Sequence, residues 1–286
     1  MKRNFAVLGG DQRQLRLAEL LCRDGHHISL WGLDRSDLPQ SSLEAAAGAE
    51  CVILPLPVTK DGSTLYLPLG SGVLLLEDLW PLLEPGRQVV CGGMLSDAVR
   101  AGARKYRLRL EDYFSREEVQ IANAVPTAEG AIAEAMARTR CTLHGCRCLV
   151  IGYGRIGKIL AQHLQALGAA VTVSARRRSD LAWAEAFGCT PVRTGGLRGQ
   201  LREMQVVFNT VPARILDRES LEELPEDAVV IDLASEPGGV DLAAAEALGL
   251  QAVWARGLPG KVAPDTAAQV LRGAIYHILE ERGDPI

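Results

Sequence analysis

The sequence predicts an α/β fold of two doubly wound parallel-sheet domains with a cleft between them. Three observations carry that expectation. Short apolar strands alternate with helical runs along the whole chain, 286 residues are more than one core needs, and each half opens with a strand, a glycine turn, a helix and a second strand. Such alternation implies parallel sheets covered on both faces.

In order, Phe5 to Leu8 reads as a strand and Gly9-Gly10-Asp11 as a turn. Gln14 to Arg23 reads as a helix with apolar residues at Leu15, Ala18, Leu21 and Cys22, and Ile28 to Trp31 as the next strand. Further strands are expected at Cys51 to Leu54, Gln88 to Cys91 and Tyr106 to Leu110, separated by helical or Gly/Pro-rich stretches such as Ser63 to Gly72. Pro126 and Thr127 look like a helix start with Thr127 as N-cap, and Ala131 to Arg140 continues as the helix that crosses between domains. The second half adds strands ending at Ile151, Val173, Asn209, Leu233 and Trp254, then a closing helix from Ala267 to Glu281. The expected division is a substrate domain over 1–122, a crossing helix over 123–140, and a nucleotide domain over 141–265. The helix over 266–286 is expected to pack back on the first domain.

The most specific chemistry lies in the second half, where the strand ending at Ile151 runs into Gly152-Tyr-Gly154-Arg-Ile-Gly157 and a helix follows. Gly152 permits the tight turn, Gly154 lets the backbone approach a pyrophosphate, and Gly157 lets the helix sit close to the sheet, as in a Rossmann-like dinucleotide site. The pyrophosphate would rest on helix N-terminal amides, so Arg155 and Ile156 join the three glycines as cofactor-binding residues. The next strand ends in Ser174-Ala-Arg176-Arg177-Arg178 with no acid to bind an unmodified ribose. Guanidinium groups match a 2′-phosphate, which selects NADP over NAD and assigns Ser174, Arg176 and Arg177 to it; at least one of the three arginines is expected to be only solvated. The turns Thr210-Val211-Pro212 and Asp232-Leu233-Ala234, after two later strands, are expected to face the nicotinamide.

The first half lacks a full glycine fingerprint, and Asp11 stands where a pyrophosphate would approach, so a second dinucleotide is disfavoured. Donors for a small dicarboxylate are sought instead at Arg13, Thr59, Asn123 and Thr127, with backbone amides at Gly93; Glu129 and Thr127 are the candidate catalytic residues. Glu129 reads equally well as a first-turn carboxylate favoured by the helix dipole. All five histidines have structural readings, and no Ser-His-Asp set is visible.

Charge narrows the partners. Lys and Arg total 31 against 35 Asp and Glu, intermixed to a net charge of -4, so neither nucleic acid nor an anionic membrane is an expected partner. Seven cysteines, several within apolar runs, read as reduced thiols of a cytoplasmic protein, and Cys146 and Cys148 lack a second pair at metal spacing, so no metal is expected. Residues 1–10 lead straight into a strand with no apolar leader, and no run is long enough to span a bilayer.

The segments GGDQRQ (Gly9 to Gln14), NAVPTAEG (Asn123 to Gly130), GYGRIG, DLASEPGG (Asp232 to Gly239) and GLPGKVAPDTAAQ (Gly257 to Gln269), in order and spread along the chain, resemble the dipicolinate synthase A-subunit family of endospore-forming bacteria. The last two are also distantly similar to alanine dehydrogenases. The resemblance implies oxidation of dihydrodipicolinate, from a branch of the lysine pathway, to pyridine-2,6-dicarboxylate with NADP+, in the mother cell of a sporulating bacterium. It implies a partner, the flavoprotein-like second subunit of dipicolinate synthase, and a homo-oligomer is expected. Glu236 and Asp265 depart from the family pattern, which has basic residues there. Two readings compete: another two-domain NAD(P)-dependent amino- or hydroxy-acid dehydrogenase, and a non-catalytic NADP-sensing protein.

Overall fold

The structure, a computed structural model, describes residues 2–283. It divides into two compact units, one made of Met1–Asn123 with Ala263–Ile286 and the other of Ala124–Val262. The first unit contains β1 (Asn4–Leu8), α1 (Gln12–Arg23), β2 (His27–Trp31), α2 (Leu43–Ala47), β3 (Cys51–Ile53), α3 (Leu76–Leu79), β4 (Val89–Gly92), α4 (Asp97–Lys105) and β5 (Leu110–Asp112). Helix α5 (Glu117–Arg138) runs from it into the second unit, which holds β6 (Arg147–Ile151), α6 (Arg155–Ala166), β7 (Ala170–Ala175), α7 (Arg178–Ala186), β8 (Thr190–Arg193) and β9 (Val206–Asn209). There follow α8 (Arg218–Leu221), β10 (Val229–Asp232), α9 (Leu242–Ala247), β11 (Gln251–Trp254) and α10 (Leu258–Val262), after which α11 (Pro264–Glu281) belongs again to the first unit.

Both sheets are wholly parallel. The first has the order β2-β1-β3-β4-β5 and the second β11-β10-β9-β6-β7-β8, which is the dinucleotide-binding order read from its far edge. Strand order therefore reverses between β1 and β3 in one unit and between β6 and β9 in the other. A crevice opens at the carboxyl ends of such strands.

Alternation along the strands fills both faces. In β1, Phe5 and Val7 join α1 and α11 in one cluster, while Ala6 and Leu8 join α2 and the loop before α3 in another. In β6, Cys148 and Val150 face α5 and α6, and Leu149 and Ile151 face the α8 and α9 side.

Two sequence expectations need correction. The run Tyr106 to Leu110 is largely a turn: α4 persists to Lys105, Arg107 adopts a left-handed φ of 57°, and pairing with β4 begins only at Leu110. The crossing helix starts at Glu117 rather than 123, so Pro126 and Thr127 lie inside it and Thr127 is not an N-cap. Pro126 removes one amide from the ladder without ending the helix, because the preceding turns are already formed and Glu117 and Glu118 favour its positive end.

His26 holds the first unit's amino end with a defined tautomer. Its Nδ1 accepts the Arg3 N–H at 3.3 Å, and its Nε2 lies 3.0 Å from the Tyr276 hydroxyl, which itself donates to Asp24 at 2.6 Å. Nε2 must therefore carry the proton, and the ring is neutral. Burial depresses its pKa below the ordinary 6.5. A proton taken up by the unfolded chain but refused by the folded one destabilises, so this contribution is intact above 6.5 and is lost as pH falls below it. Denaturant titrations on either side of that value should show a smaller pH dependence in His26→Asn than in the parent; equal slopes would remove His26 from the account.

Candidate dinucleotide site

The glycine turn after β6 is built by close contacts. Gly152 has φ +96°, and a Cβ there would lie 2.4 Å from Thr210 Oγ1 and 2.9 Å from Val211 Cγ2. A Cβ on Gly157 would lie 2.1 Å from the Gly152 carbonyl oxygen, so α6 can start against the turn only with glycine there. Gly154 is different: it is exposed, among the described residues nothing beyond its own chain neighbours lies within 4 Å of where its Cβ would be, and it caps α6 with no side-chain bond. That open backbone at the positive end of a helix of 12 residues is what a pyrophosphate requires, and the residues present fit a dinucleotide. Thr210, Val211 and Pro212 follow β9 across the strand-order reversal. The Thr210 hydroxyl, however, donates to the Ile151 carbonyl at 2.9 Å and so fastens β9 to β6.

At the end of β7, Ser174, expected at the nucleotide, is wholly buried and its hydroxyl bonds Thr194 Oγ1 at 3.0 Å. The strand finishes one residue later at Ala175. Arg176, Arg177 and Arg178 are exposed, and among the described residues none makes an ion pair. Arg193, at the end of β8, stands opposite Ala175 in the parallel register and is likewise exposed and unpaired among the described residues. A basic rim thus surrounds a strand end that lacks a carboxylate.

Asp232, Leu233 and Ala234, expected to face the nicotinamide, are buried. Asp232 Oδ1 accepts Asn209 Nδ2 at 2.8 Å and the Ala234 N–H at 3.1 Å, while Oδ2 accepts the N–H groups of Gly239 at 2.8 Å and Val240 at 3.2 Å. This carboxylate organises the two loops that follow β9 and β10. Ala234 offers its carbonyl to Trp254 Nε1 at 2.8 Å, and the Trp254 ring carries the Arg256 guanidinium 4.2 Å from its centroid. Arg256 in turn pairs with Glu236 at 2.5 Å, and Asp265 pairs with Arg16 at 3.1 Å, so both of these acids have arginine partners of their own.

The corresponding turn of the first unit is filled by its own chain. The Gly10 N–H donates to the Tyr66 carbonyl at 2.9 Å, and Leu67 Cδ2 lies 2.3 Å from where a Gly9 Cβ would be, leaving no room for a pyrophosphate. Arg13, expected to be a substrate donor, is buried, doubly bonded to Asp11 at 2.9 and 2.7 Å through Nε and Nη2, and bonded through Nη2 to the Leu56 carbonyl at 2.5 Å. The Thr59 hydroxyl, expected to be a substrate donor, donates to Asp61 at 2.9 Å and accepts the Gly62 N–H at 3.0 Å within one tight turn. The Gly93 amide donates to the Pro55 carbonyl at 3.1 Å and is not available to a ligand. Its neighbour Met94 is exposed, has a left-handed φ of 55°, and its N–H has no partner among the described residues. On α5, Asn123 is half-buried, Thr127 is buried and Glu129 is exposed.

Comparison with known proteins matches residues 4–114 to the N-terminal domain of the dipicolinate synthase A-subunit and residues 114–248 to the NAD binding domain of D-isomer specific 2-hydroxyacid dehydrogenases. The dipicolinate synthase A-subunit of Bacillus subtilis is 32% identical over 97% of this chain and 96% of its own. The chain belongs to the dipicolinate synthase A-subunit family. The crystal structure of the family member from Bacillus halodurans superposes with a TM-score of 0.87 at 32% identity, covering 97% of each chain. An L-alanine dehydrogenase shares the fold, with a TM-score of 0.69 at 16% identity over 98% of this chain and 90% of its own. The second unit is therefore a nicotinamide dinucleotide-binding domain of the dehydrogenase kind, and the protein is a dehydrogenase-like subunit.

Two features of this family member escape a reading of the sequence. Arg193 is 17 residues beyond Arg176 along the chain and joins it only through the β7/β8 register. Tyr113 is fully buried and donates to the Leu54 carbonyl at 2.9 Å, its phenol held protonated by burial; it closes the carboxyl end of β3 against Gly93, whose Cβ would lie 2.7 Å from the ring. Among the described residues no cluster of metal-ligating side chains occurs, and no helix is long and apolar enough to cross a membrane.

Proposed function

We propose that this protein oxidises dihydrodipicolinate to pyridine-2,6-dicarboxylate with NADP+, in the cytoplasm of a sporulating mother cell, together with a flavoprotein-like second subunit. The observation that carries the cofactor half is the unpaired arginine rim at the ends of β7 and β8, where an acid would select NAD. Family membership carries the substrate half. The reaction removes a hydride from one ring carbon and a proton from its neighbour. Bound NADP+ supplies the hydride acceptor, and aromatisation makes the step downhill, so the protein needs to orient the ring and take up one proton.

In this reading Gly154, Arg155, Ile156 and Gly157 hold the pyrophosphate, Arg176, Arg177 and Arg193 the 2′-phosphate, and Val211 and Pro212 border the nicotinamide. Asn123, Thr127 and the Met94 N–H are the donors offered to a dicarboxylate, and Glu129 takes the proton. The protein acts as a homo-oligomer. With α5 starting at Glu117, Glu129 lies well beyond its first turn and the dipole reading falls away. Glu129→Gln tests the role directly: kcat should fall with KM little changed, and an unchanged kcat would transfer the proton to solvent.

The decisive assay gives the purified chain enzymatically generated dihydrodipicolinate and NADP+, with and without the flavoprotein-like partner, and follows NADPH and pyridine dicarboxylate by absorbance. Product from either mixture supports the reading, and product from neither sinks it. For the cofactor, Arg176→Ala and Arg193→Ala should each weaken NADP+ binding about tenfold or more, by loss of about 1.5–3 kcal/mol per charged hydrogen bond, while NAD+ binding hardly moves. Equal affinity of the parent for both nucleotides would refute the NADP assignment.

A further inference from the structure

The second unit carries a cluster of three thiols that the reaction does not use. Cys141 is exposed in the loop between α5 and β6, Cys146 is buried where that loop enters the strand, and Cys148 is buried within the strand. The loop folds back on itself through the Cys146 N–H to the Leu143 carbonyl at 3.1 Å and the Thr139 hydroxyl to the Cys141 carbonyl at 3.0 Å. One side-chain amide then bridges its two ends: Gln205 Nε2 donates to Cys141 Sγ at 3.8 Å, while Gln205 Oε1 accepts the N–H of Arg147, the residue after Cys146, at 3.0 Å. The Cys146 thiol has the thiols of both Cys141 and Cys148 as its neighbours.

We propose that Cys141 and Cys146 form an oxidative modification site, at which a hydroperoxide converts the two thiols into a disulfide. The environments divide the labour. Cys141 is reached by solvent and its sulfur is held in place by the Gln205 amide, so it is the thiol that a peroxide meets first. Cys146 lies out of solvent, and burial keeps its proton on, so it is the second partner and not the first. In the first step the Cys141 thiolate attacks the peroxide: an S–O bond forms, the O–O bond breaks, sulfur loses two electrons, and the peroxide leaves as alcohol or water. In the second, Cys146 sulfur attacks Cys141 sulfur; the S–S bond forms, hydroxide leaves, and the Cys146 proton converts it to water. Cys148, inside the sheet, is the bystander.

Trypsin makes the outcome legible. Cleavage after Arg140 and Arg147 leaves Cys141 and Cys146 on one peptide, whereas Cys148 falls on the next, and Cys22, exposed and without a thiol neighbour among the described residues, is an internal control. The full chain is treated with hydrogen peroxide, alkylated, digested without reductant and analysed by mass spectrometry. The expected result is a Cys141 to Arg147 peptide lighter by two hydrogen atoms than its dithiol form, restored by dithiothreitol. In Cys146→Ser the same peptide should accumulate a dimedone-trapped sulfenic acid, and Cys148→Ser should behave as the parent. Oxidation of Cys141 only to higher acids at the rate of Cys22, or a cross-link to the Cys148 peptide in the parent, would overturn the pairing without recourse to any variant.

Discussion

Gly157→Ala is expected to abolish dinucleotide binding. The added methyl would lie 2.1 Å from the Gly152 carbonyl oxygen, a backbone atom that cannot swing aside, so either the turn or the start of α6 must move. Overpacking of this kind costs about 1–3 kcal/mol of stability. The larger loss is functional, because the displaced amides are those that would face the pyrophosphate. Titration with NADP+ should show affinity reduced by well over about tenfold, while circular dichroism retains the α/β signature. Gly154→Ala makes the informative contrast: nothing in the protein meets its Cβ, so stability should hold while nucleotide affinity drops. If both variants bound NADP+ normally, the glycine turn would have no part in nucleotide binding.

Asp232→Ala should be the most destabilising substitution in the second unit. Removal of the carboxylate strands four buried donors, on Asn209, Ala234, Gly239 and Val240, each worth about 1–3 kcal/mol when unsatisfied. Several such losses are comparable to the about 5–15 kcal/mol that hold a typical domain folded. Asp232→Asn should fare little better, since its NH2 must point at two N–H groups. Urea unfolding would reveal the shift in midpoint, and a bound nucleotide would recover only part of it by mass action. A variant of undiminished stability that lost only NADP+ affinity would return Asp232 to the list of cofactor ligands.

The contrast between these two sites explains what a linear reading can reach. Gly152, Gly154 and Gly157 are legible because their demands are local: a strand before, a helix after, and a fixed spacing between. The two parallel sheets follow from the alternation of elements. The position of Asp232 at a strand end is visible in sequence, while the direction of its side chain, into the two loops that it binds, is not. The same blindness hides the Gly93 amide, tied to Pro55, and Ser174, turned towards Thr194. The pairing of Arg13 could have been foreseen, for an aspartate two residues earlier at a helix N-cap is within reach of a guanidinium on the first turn. Pro126 imitates a helix start because proline is favoured there, and the acids Glu117 and Glu118 are the better signal of the true one. Arg193 depends on strand register, which only the folded sheet supplies.

The route of the chain through its two units also sets an order of birth. Residues 124–262 are continuous, so that unit has all its strands once β11 has left the ribosome. The first unit has to wait: Leu271, Ile275, Ile278 and Leu279 of α11 complete the core around Leu17 and Leu21 of α1, and they are made only after the whole of the second unit. The usual amino-terminal-first sequence of domain folding is thereby inverted. Until α11 is made, this face of α1 remains uncovered, and a chaperone that binds exposed leucines would find its target there.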